Sequence, residues 1–175
     1  MTTIRLNGME GVNAARRICL LYHSKDIDRD GNPHWMHCER VAKNIDDPTL
    51  KIIALLHDIV EHGHMNYAQI GNLFGCRVMD AIRILTRNKE IPYVDYLEKV
   101  KTNPDALIVK VFDISDNANR GFARKLCLYL DFLHWFVIMN TCYLTKSHLA
   151  SLSTVNLCVI ARDIALNTIT GYSIN

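Results

Sequence analysis

Apolar residues recur at helical spacing along most of this chain, and period-two alternation is weak throughout. Val12 to Tyr22 reads as a first helix. The polar, turn-rich stretch Lys25 to Pro33 interrupts it, and Trp35 to Ile45 resumes the helical pattern. Asp46-Asp47-Pro48 breaks the chain again and supplies an N-terminal cap for a helix from Thr49 to Val60. Gly63 is placed for the C′ position after it. A short helix from Tyr67 to Phe74 ends at Gly75. Arg77 to Arg87 carries Val78, Ala81, Ile82 and Leu85 on one face. Pro92 to Lys101 and Asp105 to Ala118 complete the clear helical segments. Arg120 to Asn175 reads as two or three more. The fold class is therefore all-α, a helical bundle with residues 1–125 as the core and residues 126–175 as a C-terminal helical extension packed on it.

Composition narrows the picture. With 175 residues, 49% hydrophobic and 22% charged, the chain can bury a full core. A formal net charge of +2 gives no general reason to expect nucleic-acid binding. The six cysteines form no C-x-x-C pair and are scattered over apolar stretches, as reduced core thiols of a cytoplasmic protein would be. Met1 to Gly8 has no signal-peptide core. Leu126 to Leu144 approaches the length of a membrane span, yet Asp131 and His134 near its centre favour a buried helix. A homo-oligomer is left open.

The candidate chemistry lies at the end of the most apolar run. Lys51-Ile52-Ile53-Ala54-Leu55-Leu56 leads directly into His57-Asp58, two polar side chains that are costly there unless something satisfies them. His37 upstream and Asp113, within Val109-Lys110-Val111-Phe112-Asp113, complete a His, His-Asp, Asp set able to hold one divalent cation. Mixed nitrogen and oxygen ligands suit manganese, iron or zinc better than calcium or magnesium.

Three segments together resemble the HD-domain phosphohydrolases. They are Asp28 to His37, Ala54-Leu55-Leu56-His57-Asp58-Ile59-Val60-Glu61, and Val109 to Asn117. The likeness covers roughly residues 10 to 125. More narrowly, it is to the branch of RelA/SpoT-type guanosine tetraphosphate (ppGpp) hydrolases and their small stand-alone relatives. The resemblance implies Mn²⁺ at His37, His57, Asp58 and Asp113, and removal of pyrophosphate from a (p)ppGpp-type nucleotide. It implies a catalytic pair after the HD helix, which falls on Glu61 and His62. The family has a Glu-Asp pair there, and this chain departs from it at His62. Lys25, Arg29, Lys89 and Asn117 match substrate-binding positions, with Asn117 toward the sugar. Alternative readings are a nucleotidase or phosphodiesterase on another small phosphorylated metabolite, or a non-catalytic nucleotide-binding module.

Other chemistry is weaker. No nucleophile-elbow pattern and no Gly-rich phosphate loop occurs. His62 and His64 invite a second metal, but two residues apart on a helix they would not share a face.

Overall fold

The computed structural model describes residues 6–28 and 30–119, together with Phe132 and Trp135. The chain groups into two compact units, Met1–Phe112 and Asp113–Asn175. The boundary expected after residue 125 and the segment Leu126 to Leu144 both lie outside the described residues, apart from Phe132 and Trp135. Seven α-helices are present among the described residues: α1 (Gly8–His23), α2 (Trp35–Lys43), α3 (Pro48–Leu56), α4 (Tyr67–Phe74), α5 (Cys76–Leu85), α6 (Tyr93–Val100) and α7 (Pro104–Asn119). The extended pairing described is a single isolated antiparallel bridge, Ile27 to Pro33. The fold is all-helical, as the periodicity predicts. No described helix is long and apolar enough to cross a membrane.

α3 is the centre of this architecture. Its start is fixed by Asp47, whose side chain accepts from the Leu50 backbone N–H at 2.9 Å, with Pro48 in the first turn. Ile52 to Leu56 are all buried, because α1, α2 and α5 pack around the helix. A helix apolar on every side can be stable only in such a position. α1 comes very close: a Cβ on Gly11 would lie 2.8 Å from Ile52 Cδ1 and 3.0 Å from the Leu6 backbone. Glycine is the residue that admits this approach.

The segment after α3 differs from the expected helix. α3 stops at Leu56, and residues 57 to 63 form consecutive turns. Gly63 adopts φ +75, and the His64 N–H reaches the Ile59 carbonyl while the Gly63 N–H reaches Val60. This is the Schellman pattern, and it reverses the chain sharply at the glycine expected at C′. α4 then opens with a reciprocal capping box between Asn66 and Gln69. Cys19 and Cys38 are buried as expected, whereas Cys76, the first residue of α5, is exposed.

Candidate metal centre

α2, the end of α3 and α7 each deliver part of the first cluster. His37 on α2 and Asp113 on α7 are buried, and so is His57 at the C-cap of α3. Each of the three offers a ligand atom, and these atoms lie within 4.8 Å of one another. His57 Nδ1 donates to the Ala54 carbonyl at 2.7 Å, since a carbonyl can only accept. In the neutral ring Nε2 therefore carries the lone pair that a cation needs. Asp113 is steadied by Asn117, one turn further along α7, whose amide donates to Oδ1 at 2.6 Å.

Asp58 borders this group. Its Oδ2 lies 3.3 Å from His57 Nε2 and accepts from His34 Nε2 at 2.8 Å. Burial acts to raise the Asp58 carboxyl. The charge of His57, the hydrogen bond from His34 and the charge of His37 outweigh it, and the group is held well below the usual carboxylate range. Two imidazoles and two carboxylates thus stand where a divalent ion would find mixed nitrogen and oxygen donors. The donor set fits manganese, iron or zinc.

A second cluster forms around Asp26. Its Oδ2 is contacted by His23 Nδ1 at 2.7 Å, His62 Nδ1 at 2.9 Å and His64 Nε2 at 2.7 Å. The loop between α1 and α2 folds back to make this possible: the His34 N–H donates to the Asp26 carbonyl at 2.8 Å. Burial acts to raise the Asp26 carboxyl, and hydrogen bonds from His64 and His23 reverse it, leaving it far below the usual range. His23 is fully buried, and desolvation lowers its pKa to about 4 against the opposing bond to Asp26. His62 and His64, which would not share a face on a helix, do meet here, because Gly63 turns the chain between them and the segment is no helix. The His34 ring stacks on His62 with centroids 4.5 Å apart, linking the two clusters through the His34–Asp58 bond.

The expected substrate-facing residues are distributed unevenly. Glu61 is exposed, and its Oε2 accepts from the Arg87 backbone N–H at 3.4 Å. That contact brings the segment holding Lys89 beside Glu61. Lys25 and Lys89 are exposed, and Arg29 lies outside the described residues. His62, expected in the catalytic pair, is bonded to Asp26. Asn117, expected at the sugar, is bonded to Asp113. Neither His23, Asp26, His34 nor His64 was expected as a site residue. One signal was countable: six of the eight histidines fall between residues 23 and 64.

The bundle and its buried His/Asp cluster define a class, an all-helical protein with a candidate divalent-metal centre. Among solved structures, the chain is similar to one described by the words "A metazoan ortholog of SpoT hydrolyzes ppGpp and plays a role in starvation responses". The TM-score is 0.65 at 18% identity, covering 90% of this chain and 95% of that one. The likeness is therefore of fold. No protein-family model and no curated relative matches this chain.

Proposed function

We propose that this chain is an HD-type, metal-dependent phosphohydrolase that removes pyrophosphate from a (p)ppGpp-type guanosine nucleotide. The observation that carries this reading is the convergence of His37, His57 and Asp113, with Asp58 alongside, inside a fold like that of a ppGpp hydrolase. His37, His57, Asp58 and Asp113 would hold the ion, with Mn²⁺ the metal the resemblance implies. Such an ion lowers the pKa of a bound water and polarises a phosphoryl oxygen.

The remaining work falls to the chain's own groups. Glu61, exposed one turn beyond His57, takes the water proton as general base. Its hydrogen bond with the Arg87 N–H orients the carboxylate. His62 holds the turn through Asp26 rather than supplying a second carboxylate. Lys25, Arg29 and Lys89 provide the cations that a pyrophosphate group needs. Asn117 keeps Asp113 aimed at the metal, a role in which loss of the partner typically costs about 10- to 100-fold. The protein acts on a small-molecule nucleotide in the cytoplasm.

A second reading is a non-catalytic nucleotide-binding module, favoured by the engagement of His62 with Asp26 where the family has an acidic catalytic partner. One experiment separates them: purified protein is given ppGpp with Mn²⁺, then with chelator, and products are resolved by chromatography. GDP and pyrophosphate that vanish with chelator establish the hydrolase. Bound nucleotide without product from metal-loaded protein establishes the module.

A further inference from the structure

We propose that His23, Asp26, His62 and His64 form a second metal site, a closed His₃Asp site for Zn²⁺ that clips the loop after α1 to the turn after α3. Each of the four residues offers one ligand atom, and all of these atoms lie within 4.8 Å of one another. The donor set is three imidazoles and one carboxylate, the number and kind that close a tetrahedral zinc. In such a shell neighbouring ligand atoms stand roughly 3.3 Å apart, given zinc–ligand bonds of about 2 Å. The cluster needs only small side-chain adjustments to reach it.

The hydrogen bonding around Asp26 is itself an argument for a cation. Three imidazole nitrogens converge on one oxygen, Oδ2. A carboxylate oxygen has about two lone-pair sites, so three N–H donors exceed what it can accept well. A cation at the point where the nitrogens converge resolves the excess. Each ring then binds through a lone pair, with its proton on the other nitrogen or released to solvent. His23 adds a separate observation. It is fully buried, and its Nε2 has no hydrogen-bond partner among the described residues. The nitrogen that faces Asp26 is Nδ1, at 2.7 Å, so Nδ1 is the atom that would bind the ion, and burial of the ring keeps water from competing there.

The position of the site gives it a purpose. Asp26 belongs to the loop that carries Lys25, while His62 follows Glu61 directly. A zinc there would fix both segments relative to the first cluster. With one carboxylate ligand, the occupied site carries a net charge of +1 next to a centre built for phosphate. The ion has no open coordination position, so its part is positional and electrostatic.

The test is metal stoichiometry on the full chain, stripped with chelator, reloaded with Zn²⁺ alone, desalted and measured by mass spectrometry of the metal. Wild-type protein should retain two equivalents, His64→Gln and Asp26→Asn one each, Asp58→Asn one, and the His64→Gln/Asp58→Asn pair none. Circular dichroism on each variant verifies folding. The wild-type count needs no variant, and a single equivalent lost in Asp58→Asn overturns the second site. Two equivalents retained in folded His64→Gln and Asp26→Asn also overturn it. A single equivalent that His64→Gln removes and Asp58→Asn keeps upholds the second site, and it is the proposed hydrolase centre that then fails. As a further check, Co²⁺ in the wild type should give the intense visible absorption of tetrahedral coordination, lost in His64→Gln.

Discussion

The two histidine clusters lie side by side, and they are built by opposite means. The first draws His37 from α2 and Asp113 from α7, with His57 at the cap of α3 and Asp58 directly after it. Its members are held by helix geometry and by burial among apolar neighbours. The second draws Asp26 from a loop and His62 and His64 from either side of a glycine turn, with only His23 on a helix. Its geometry depends on one carboxylate acting as a hub. A site on helices is stiff because its scaffold is stiff. A site on loops must be tied together by its own contacts.

The difference sets the size of the expected effects. Asp58→Ala should bring hydrolysis to background and remove the metal of the first cluster, with the second left loaded. Full turnover in that variant, measured with Mn²⁺, would end the hydrolase reading. Asn117→Ala should follow, weakening metal affinity or activity by about 10- to 100-fold without a change in melting temperature, since it acts by aiming Asp113. An isothermal titration of Mn²⁺ alongside a melt separates that outcome from general destabilisation.

Acid should strike the second cluster. His23 has a folded pKa of about 4, below the ordinary value of about 6.5. The unfolded chain therefore binds a proton between these values that the folded chain refuses, and stability falls as the pH drops from about 6.5 toward 4. The sign is opposite to that of a histidine gaining a charged partner. The whole window is worth up to about 3 kcal/mol. Asp26, with a depressed carboxyl, supports the fold above about 3.9 and loses that support only at lower pH. Denaturant titrations of metal-stripped protein should show the slope, and His23→Leu should flatten it. A flat profile in the parent between pH 6.5 and 4 would contradict the assignment. The smallest effect is at Gly63. Nothing lies within 4 Å of a Cβ placed there, so Gly63→Ala pays only for its positive φ, about 1 kcal/mol. It should loosen Zn²⁺ at His62 and His64 while sparing Mn²⁺ at the first cluster, as competition with a chelating dye would read.

The same contrast explains what could be read from the chain. His57-Asp58 and Asp113 stood out because a charged group in an apolar run demands a partner, and the helices around them follow from periodicity. The cap at Asp47-Pro48 was equally legible. The end of α3 was not, because a Schellman turn continues the apolar pattern through Ile59 and Val60 while the chain is already leaving the helix. Gly63 was recognised as a stop. The reversal it imposes, which sets His64 beside His62 and Asp26, has no periodic signature. Asp26 looked like one more polar loop residue, and its three partners come from sequence positions up to 38 residues away.

The close approach of Gly11 to Ile52 acquires a different meaning beside the clusters. α1 ends at His23 and α3 ends at Leu56, just before His57, so the distance between those helices governs how far apart the clusters stand. That distance is set by a methyl group that is missing. Adding it back, as Gly11→Ala, would press on Ile52 Cδ1 and on the Leu6 backbone at once, and trimming Ile52 to Val would relieve only the first of these, so the substitution becomes a coarse dial on the separation of two neighbouring cation sites.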